Sequence, residues 1–352
     1  MRRIASVLSL TALLLSLLPL AAPPAHAAIA RRAVLQCSGC WPGAFDFSPN
    51  GKTIAYGERL SGEIRLLSLE TGQSTLWRRV RGLQTCCEQG LLGLAIHPDW
   101  PNPRTIFVYI THAASDENRI LRITKRDDGS VAVTKLLSIP GASGYHNGGV
   151  IHIGPGGLLY AVTGDAHDSG RAQDLGDRAG KVLHMTRSGG IPSGESDRIF
   201  SYGHRNSYGF AFDPETDRLW QTENGPECND EVNLVVGGNY GWGPSSSCPY
   251  TNTSGPDPIH RPEVFFNPVV APTGAVFCDA CHLGDSVHRR LLVGSWNDRR
   301  IRRLTLDAAR NDVVRRHYLY QNSSGVLGLA AHPVTNRPYF SDPNGIYRLV
   351  RV

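Results

Sequence analysis

Two polar segments of the chain carry the residue types of a general base and of the carboxylate that would orient it. The segment Tyr145–Gly149 precedes an apolar run, and Thr163–Asp165 follows the next one. In an antiparallel hairpin the start of one strand lies beside the end of the next, so we expect His146 and Asp165 to be neighbours. A carboxylate behind an imidazole fixes its tautomer and raises its basicity, which suits proton abstraction. The alternative is a channel-lining histidine whose hydrogen bonds are satisfied within the fold.

A third polar segment places a cation and an amide side by side. Arg205 and Asn206 precede one apolar run, and the segment Thr222–Pro226 follows the next. At a channel mouth an arginine beside an asparagine can clamp a carboxylate or a polarised carbonyl. Residues 230–242 then combine acidic side chains, asparagines and glycines. Oxygen ligands of this kind suit Ca²⁺, although an ordinary Asx-rich loop has the same composition.

A weak internal repeat positions these segments. Each of six copies, about 54 residues long, opens with a glycine and an apolar strand. A turn of the His-Pro, Ser-Pro, Gly-Pro or Asp-Pro type follows, except in the fifth copy, where a cysteine-rich insert replaces it. This length accommodates a four-stranded blade with its loops, so we predict an all-β fold, a six-bladed β-propeller. The opening glycines are Gly43, Gly90, Gly149, Gly209, Gly274 and Gly325.

Strand-like alternation within the copies supports this fold. Polar and apolar residues alternate in Glu63–Leu69, Arg119–Thr124 and Ile301–Leu306, as half-exposed strands require. The short strand Ala33–Gln36 would pair with the last blade and close the ring. In a propeller, the residues before each first strand and after each second strand line one face around the central channel. The polar segments described above occupy those positions.

The composition narrows the class of protein. The 352 residues include 38 glycines and 23 prolines but only 2 methionines, which favours short strands and turns. With 41% hydrophobic and 19% charged residues, the chain is not a collagen, a coiled coil or a polytopic membrane protein. The net charge is +5, or +3 without Arg2 and Arg3. No basic run is interleaved with aromatic residues, so we predict no nucleic-acid partner.

The N-terminus has the features of a secretory signal. Arg2 and Arg3 precede the apolar run Ile4–Leu20, and Ala25–Ala27 supplies a small-x-small cleavage pattern. We therefore predict a signal peptide at residues 1–27 and a single propeller domain at residues 28–352. The mature protein would be secreted or periplasmic, with no membrane span after cleavage. The alternative is a retained N-terminal anchor, which prolines at the end of a short apolar run disfavour.

Eight cysteines in an exported chain indicate disulfides, but their pairing cannot be deduced from the sequence. The run Cys278–His282 also matches the C-x-x-C-H attachment pattern of c-type haem. Because Met185 is the only methionine after the predicted signal and no helical pattern surrounds the motif, we predict a disulfide turn rather than haem. The candidate pairs are Cys37 with Cys40, Cys278 with Cys281, Cys228 with Cys248, and Cys86 with Cys87 or with another loop.

Eight short motifs follow one another along the chain: Gly90–Asp99, His146–Gly149, Gly164–Asp165, Gly180–Leu183, Gly203–Asn206, Glu223–Pro226, Asp230–Leu234 and Gly238–Trp242. In these motifs and their order the chain resembles, over residues 37–350, the soluble quinoprotein glucose/sorbosone dehydrogenases. That group includes bacterial aldose sugar dehydrogenases that use pyrroloquinoline quinone (PQQ), and its fold is a six-bladed propeller. The resemblance implies a PQQ- and Ca²⁺-dependent dehydrogenase of an aldose or related alcohol, with an electron acceptor that the sequence does not identify.

The resemblance also implies roles for individual residues. His146 matches the base that takes the substrate hydroxyl proton while hydride passes to the quinone, and Asp165 matches its orienting carboxylate. Arg205 and Asn206 match the pair that contacts the quinone. A Ca²⁺ Lewis acid together with Arg205 would make the quinone electrophilic, which gives this arginine a catalytic role.

Metal and substrate contacts are implied as well. The backbone carbonyls of Gly225 and Pro226 match those that hold the Ca²⁺ beside the cofactor. Glu231 and Tyr240 resemble a second, structural calcium site of some members. Glu88 and Tyr145 flank the expected substrate pocket.

Three features depart from the family pattern. Asn297 stands where a lysine usually pairs with the cofactor's carboxylates, and Gly325–Gly328 replaces an Arg-x-Arg-Asp run. At roughly 1.5–3 kcal/mol for each charge-assisted contact, losing about three cations reaches several kcal/mol. Arg299 and Arg300 lie nearby, but strand alternation would aim only one of them inward. The third departure is the adjacent pair Cys86-Cys87 at the expected channel.

These observations lead to functions of different classes. The first is the PQQ-dependent dehydrogenase, which the joint presence of His146, Asp165, Arg205 and Asn206 favours. The second is an exported propeller that has lost PQQ and acts as a binding protein, which the uncharged Gly325–Gly328 segment favours. A Ca²⁺-dependent lactonase is a third, because six-bladed propellers also host such hydrolases.

Overall fold

Short strands and tight turns make up nearly all of the regular structure, as the glycine and proline content predicts. The computed structural model describes residues 28–115, 117–141 and 144–352. The predicted signal peptide, residues 1–27, lies outside the described residues. Within the described ranges, helix is confined to α1 (Ser169–Gln173) and one 3₁₀ turn, Pro155–Gly157. Neither is long and apolar enough to cross a membrane.

The strands form six sheets arranged as the blades of a propeller, which confirms the predicted all-β fold. The first strand, β1 (Ile29–Gln36), joins the last blade, and elsewhere each blade is built in chain order from the channel outward. Blades one to three are formed by β2 (Ala44–Phe47), β3 (Thr53–Gly57), β4 (Glu63–Ser68) and β5 (Ser74–Arg79); by β6 (Leu91–Ile96), β7 (Arg104–His112), β8 (Glu117–Lys125) and β9 (Val131–Pro140); and by β10 (Ile151–Ile153), β11 (Leu159–Val162), β12 (Lys181–Met185) and β13 (Ile199–Tyr202).

Blades four to six follow the same plan. Blade four also contributes β17, which pairs in parallel with β13 at the edge of blade three. The strands are β14 (Ser207–Phe212), β15 (Leu219–Glu223), β16 (Asp230–Val235), β17 (Gly238–Asn239) and β18 (Val264–Phe266); β19 (Pro272–Cys278), β20 (Arg290–Ser295), β21 (Arg300–Leu306) and β22 (Val313–Gln321); and β23 (Leu329–Ala331), β24 (Pro338–Asp342) and β25 (Gly345–Arg351).

The two ends of the described chain close the ring. β1 pairs antiparallel with β25, from Ile29 opposite Arg351 to Gln36 opposite Gly345. The predicted closure by Ala33–Gln36 is therefore confirmed, and the strand begins four residues earlier than expected. Because the last blade takes its outermost strand from the N-terminus, the six sheets cannot separate without breaking this ladder.

Glycines near the start of the inner strands allow neighbouring blades to approach. A Cβ atom on Gly209 would lie 2.2 Å from the carbonyl oxygen of Thr273, and one on Gly274 would lie 2.4 Å from the backbone nitrogen of Leu329. No side chain fits at such distances, which explains why a glycine recurs in the repeat. The faces of adjacent blades pack through buried aliphatic and aromatic residues, for example Trp220 and Phe277 between blades four and five.

All eight cysteines are paired in the structure. Each bond is local in sequence, and Cys86-Cys87 adopts the vicinal alternative rather than a link to another loop. Cys278 and Cys281 bond to each other at the end of β19. The other pairs are Cys37 with Cys40 and Cys228 with Cys248.

Candidate active site

The structure brings His146 and Asp165 together at one mouth of the channel. His146 lies before β10 and Asp165 after β11, and Nδ1 of His146 is 2.7 Å from Oδ1 of Asp165. Gly164 permits this contact, because a Cβ there would lie 2.1 Å from the carbonyl oxygen of His146. His146 itself has a positive φ of 60°, a strained backbone conformation of the kind found at functional sites.

The carboxylate of Asp165 is held by two further donors. Its Oδ2 accepts a hydrogen bond from the indole Nε1 of Trp242 at 2.8 Å, and its Oδ1 accepts one from the backbone N–H of His167 at 3.0 Å. A carboxylate that accepts from His146 places the imidazole proton on Nδ1. The Nε2 atom of His146 is then left as the basic nitrogen.

Glu88 links this pair to blades two and four. Its Oε2 accepts a hydrogen bond from the backbone N–H of His146 at 2.9 Å and one from the side-chain amide of Asn206 at 3.2 Å. Asn206 in turn accepts from the backbone N–H of Gly148 at 3.3 Å. Tyr208 lies beside Glu88, and burial together with this carboxylate raises the pKa of its hydroxyl well above the ordinary value. Three loops therefore share one polar network.

Arg205 spans the remaining side of the mouth. Its guanidinium donates to the carbonyl oxygens of Asn224 at 2.9 Å and Gly225 at 2.7 Å, and it lies 5.4 Å from the centre of the Trp242 ring. Its own carbonyl oxygen accepts the backbone N–H of Asp165 at 2.7 Å. Arg205 and Asp165 are thus connected in two ways, by this backbone hydrogen bond and by Trp242, whose side chain contacts both of theirs.

The residues assigned to calcium by resemblance fall into two groups. Gly225 and Pro226 follow β15, and the carbonyl oxygen of Gly225 already accepts from Arg205. Glu231 is buried in β16, where Asn252 hydrogen-bonds to it and also donates to the carbonyl oxygen of Tyr240 at 2.8 Å. In the described part of the chain, no three His, Cys, Asp or Glu side chains converge on a point that could hold a metal ion.

Tyr145 and His167 lie beside the imidazole of His146. The two histidine rings stack with centroids 4.0 Å apart and an interplanar angle of 14°, and the edge of Tyr145 approaches His167 at 6.3 Å. Partial desolvation, and then the neighbouring His146, lower the pKa of His167. Tyr145 is 51% exposed, so its side chain is accessible to a molecule that enters the mouth.

The residues of blades five and six lie differently. Asn297 is exposed in the loop between β20 and β21, and its backbone N–H donates to the carbonyl oxygen of Val270 at 3.0 Å. Arg300 packs over the Tyr318 ring at 4.1 Å on the outer strand, and Arg299 donates to the carbonyl oxygen of Ser323 at 3.3 Å. The segment Gly325–Gly328 has no charged side chain.

Sequence reasoning missed a second cation at the mouth. Arg59 follows β3, the position in blade one that Asp165 occupies in blade three, so the repeat pattern could have identified it. Its guanidinium lies 4.3 Å from the centre of the Trp41 ring and donates to the carbonyl oxygen of Cys87 at 2.6 Å. Its buried Nε has no hydrogen-bond partner among the described residues, and burial lowers the pKa of the guanidinium.

Aromatic rings and a disulfide complete the rim. Trp41 stacks on Trp296 with centroids 5.5 Å apart, which joins blade one to blade five. The Cys86-Cys87 pair lies next to Gly144, where an added Cβ would be 3.4 Å from Sγ of Cys87. Below the rim, inner strands of several blades line a central cavity that Arg59 and Glu88 border. No spacing in the sequence identifies the partners that meet here, because they come from several blades.

Comparison with known proteins connects this geometry to one family. The family model for glucose/sorbosone dehydrogenases matches residues 41–326. The chain is 31% identical over 239 residues to quinoprotein glucose dehydrogenase B of Acinetobacter calcoaceticus, covering 57% of this chain and 50% of that protein. It is 30% identical over 225 residues to aldose sugar dehydrogenase YliI of Escherichia coli K12, covering 59% and 60% respectively. The matched segments span about half of each relative's length.

Solved structures match over a larger part of the chain. The PQQ-bound aldose sugar dehydrogenase of Streptomyces coelicolor superposes with a TM-score of 0.76 at 25% identity, covering 94% of this chain and 99% of that one. An oxidoreductase described as a glucose dehydrogenase from Thermus thermophilus superposes with a TM-score of 0.79 at 28% identity, covering 92% and 100%. With a family model that matches most of its length, the chain belongs to the glucose/sorbosone dehydrogenase family.

Proposed function

We propose that this protein is a PQQ-dependent dehydrogenase that oxidises an aldose sugar or a related alcohol. The observation that carries the proposal is the His146–Asp165 pair, whose carboxylate is fixed by Trp242 beside Arg205 and Asn206. A binding surface has no need of a basic imidazole nitrogen held in one tautomer. Membership of the family and the PQQ-bound relative support the same cofactor.

The proton step follows from the geometry of His146. Its Nε2 would accept the substrate's hydroxyl proton, while Asp165 stabilises the imidazolium that forms. Glu88 accepts the backbone N–H of the same histidine and so holds this loop at the mouth, while the contact with Asp165 orients the ring. We propose that Glu88 and Tyr145 border the substrate, since both lie beside His146 and Tyr145 is exposed.

The residues at the mouth fit a flat, anionic cofactor. Arg59 and Arg205 bring two positive charges, and the unpartnered Nε of Arg59 is a donor without an acceptor in the described structure. Asn206 and Asn297 can add amide contacts, and the Trp41–Trp296 stack offers an aromatic face. PQQ, when bound, would supply the hydride acceptor. Arg59 thereby replaces part of the charge that the uncharged sixth blade lacks.

We also propose two calcium sites on the chemistry of their donors. The carbonyl oxygens of Gly225 and Pro226 would hold an ion beside the cofactor, since a carbonyl that accepts from Arg205 retains a second lone pair. The carboxylate of Glu231 and the carbonyl of Tyr240 would hold another in the place that Asn252 now bridges. Carboxylate and backbone oxygens are the ligands that Ca²⁺ prefers.

The N-terminal segment and the cysteines bear on where the protein acts. We propose that residues 1–27 are removed and that residues 28–352 act as one domain outside the cytoplasm. Four disulfides in the structure support an oxidising compartment. N-terminal sequencing of the exported protein would test the cleavage after Ala27.

The experiment that tests the proposed function is a PQQ titration of the purified mature protein with Ca²⁺ present. Dye reduction is then measured against a panel of aldoses. We expect saturable binding and sugar-dependent dye reduction. If the protein binds no PQQ at micromolar concentration, the dehydrogenase is wrong and the second candidate, a propeller that binds a partner, takes its place. The uncharged Gly325–Gly328 segment is the observation that favours that candidate.

A further inference from the structure

A groove between blades two and three collects positive charge on the face opposite the mouth. The inner strands begin at the mouth and end at that opposite face. His97 follows the far end of β6, and Arg187 lies in the turn Thr186–Gly190 that follows β12. Together with Arg122 of β8 they line a groove of about 520 Å³. The groove is therefore separate from the site around His146.

The strand register directs these side chains to one side of blade two. Directly paired residues, and residues two apart along a strand, point to the same side of a sheet. Arg122 lies opposite Phe107, and Thr124 lies opposite Thr105. His97 continues this row, since its backbone N–H donates to the carbonyl oxygen of Thr105 at 3.1 Å. Phe107 packs into the apolar core between blades two and three, so the side that carries Arg122 faces blade three.

Turns of blade three close the other side of the groove. A Cβ atom on Gly189 would lie 3.1 Å from the carbonyl oxygen of Leu136 in β9, so the turn after β12 is seated against blade two. A Cβ atom on Gly157 would lie 3.5 Å from Nη1 of Arg187. The guanidinium of Arg187 therefore lies against the turn between β10 and β11, which also lines the groove.

The protein does not neutralise the two guanidinium groups. Neither Arg122 nor Arg187 forms a hydrogen bond or an ion pair through its side chain with any described residue. Nδ1 of His97 accepts the backbone N–H of Asp99 at 3.2 Å, which places the proton of the neutral ring on Nε2. Partial burial, and then the charge of Arg187, lower the pKa of His97; Arg122 lowers it further, and the exposed carboxylate of Asp99 opposes them.

Four hydroxyl groups line the same groove. The Oγ1 atoms of Thr105 and Thr124 are 2.8 Å apart, and Oγ1 of Thr186 is 3.0 Å from Oγ of Ser188. In each pair one O–H donates to the other oxygen, so the second O–H has no acceptor among the described residues. The groove therefore offers guanidinium, imidazole and hydroxyl donors together, a set that suits an anion with several oxygens.

We propose that this groove, bordered by Arg122, Arg187 and His97, binds the phosphate group of a small molecule. Each guanidinium presents a planar fork of N–H donors, and a phosphate group has enough oxygen atoms to accept from both forks. A carboxylate has only two oxygens, which a single fork occupies. The groove exceeds the volume of one phosphate group, so it has room for the remainder of a phosphate monoester. The bound anion would join blade two to blade three.

Solvated side chains and nonspecific anion binding would also account for a basic groove, and they make different predictions. Surface arginines are commonly solvated and need no ligand. A basic surface can attract nucleic acid or anionic lipid without specificity. Thr105 is only 2% exposed, so a phosphate group that reaches its hydroxyl must enter the groove. A headgroup held in a flat membrane does not do so, which favours a small phosphorylated molecule.

Equilibrium dialysis with radiolabelled inorganic phosphate tests the site, using the mature protein without PQQ or sugar. The ionic strength is held constant with sodium chloride, so that any difference reflects phosphate and not total charge. We expect saturable binding of phosphate in the presence of chloride. Glycerol 3-phosphate, a phosphate monoester, should compete for the same site. Vesicles of phosphatidylglycerol and duplex DNA are the probes for nonspecific anion binding.

Substitutions assign the binding to the groove. R122Q/R187Q should weaken phosphate binding by at least 10- to 100-fold, the range for loss of a single charge-assisted contact. R187K keeps the charge in a surface turn but loses the fork, so it should weaken binding about tenfold without a risk to folding. The matched control is R104Q/K125Q: this pair lies in the same ladder one position from the threonine pair, on the other side of blade two, and should leave binding unchanged.

The remaining outcomes each overturn the proposal. Absence of saturable binding at millimolar phosphate identifies solvated arginines. Equal losses in R122Q/R187Q and R104Q/K125Q identify an effect of net charge. Loss of phosphate binding in R205Q, with binding retained in R122Q/R187Q, places the anion at the mouth. Binding of vesicles or DNA that phosphate does not displace identifies a nonspecific anion surface.

This inference stands apart from the proposed function, because its residues lie away from the mouth and its assay needs neither PQQ nor sugar. If dye is not reduced but phosphate binds as expected, the dehydrogenase is wrong and the phosphate site stands. If dye is reduced but the groove binds no phosphate, only the phosphate site is wrong.

Discussion

Blades three and four differ from blades five and six in where their polar side chains point. In the first pair, His146, Asp165 and Arg205 face the channel mouth and are joined through Trp242. In blade five the arginines turn to the outer strands, and in blade six the segment Gly325–Gly328 has no charge at all. The number of cations in a blade therefore says little about the charge at the mouth.

The physical reason for this difference is the direction of each loop and the pleat of each strand. A residue of a loop that ends an inner strand faces the channel, whereas a residue of an outer strand faces solvent or the next blade. Arg59 and Arg205 both occupy loops at the mouth, although they come from blades one and four. Arg205 thus matches the family pattern, whereas the second cation, Arg59, comes from blade one and not from blades five and six, where the expected cations are missing.

The largest expected effect belongs to the base. His146→Ala should lower turnover by about 1,000-fold, within the range for loss of a general base. His152→Ala is the control, because this histidine of the same blade packs against Phe210 at 4.8 Å, away from the mouth. Steady-state dye reduction and thermal unfolding would be measured for both. Unchanged turnover in His146→Ala contradicts the proposed mechanism.

The next effect concerns the cation of blade four. Arg205→Ala should weaken PQQ binding by roughly 10- to 100-fold, because a charge-assisted contact contributes about 1.5–3 kcal/mol. Arg299→Ala removes an arginine of blade five, whose guanidinium donates to Ser323 instead, and should leave binding unchanged. Fluorescence titration of both variants with PQQ provides the test. Equal losses would remove the distinction between the two blades.

A gain of affinity would sharpen the same comparison. Asn297→Lys restores the cation that the family pattern places in blade five, at an exposed position that tolerates a longer side chain. We expect PQQ to bind about tenfold more tightly, the lower end of a charge-assisted contact. Gln321→Lys adds the same charge at the end of the outer strand and should have no effect. If both substitutions act alike, the effect is one of net charge and not of position.

A smaller effect is expected from the ring that covers His146. His167→Ala removes a stacked partner at 4.0 Å, worth about 0.5–1.5 kcal/mol, and should lower kcat about two- to tenfold. His167→Phe keeps the stack and should restore most of the activity. Thermal unfolding of both variants is measured alongside, so that a loss of kcat is separated from a loss of stability. A rate identical to the wild type for His167→Ala would show that the stack is incidental.

The last prediction concerns Asp46, at the opposite end of the channel. We expect its substitution to leave turnover unchanged. Burial raises the pKa of Asp46 to about 6, although backbone hydrogen bonds from Phe47 and Ile96, both at 2.8 Å, act to lower it. A raised carboxyl pKa favours the folded state at low pH, so this contribution is lost as the pH rises from about 4 to 6. The drop is at most about 3 kcal/mol. Asp46→Asn should remove that part of the pH dependence in chemical denaturation, and a retained slope would assign it to another group.

Much of the fold is predictable because a propeller repeats one local unit. All six inner strands begin within a few residues of the predicted glycines, or include them, and each predicted third strand is present. The contact between His146 and Asp165 is predictable for the same reason, since both residues flank a single hairpin. Arg59 obeys the same positional rule, and applying the rule to blade one identifies it.

Contacts between blades are not predictable in this way. Glu88, Asn206 and Trp242 come from segments up to 154 residues apart in the chain, yet all three bond within the network around His146 and Asp165. No periodicity in one segment specifies its angle to another. The sequence likewise left open whether Cys86 and Cys87 bond to each other or to another loop. The folded structure shows that they bond to each other.

The sequence by itself determined the six repeats, the inner strands that open them and the residues of the loops at the mouth, because turn residues and side-chain alternation act over a few positions. The tertiary structure alone decided which loops share a polar network and which arginines face solvent. Closing six twisted sheets into a ring brings the ends of distant hairpins to one mouth. That closure places Arg59 and Arg205 where an anion can bind, and it directs the arginines of blade five to the outer edge.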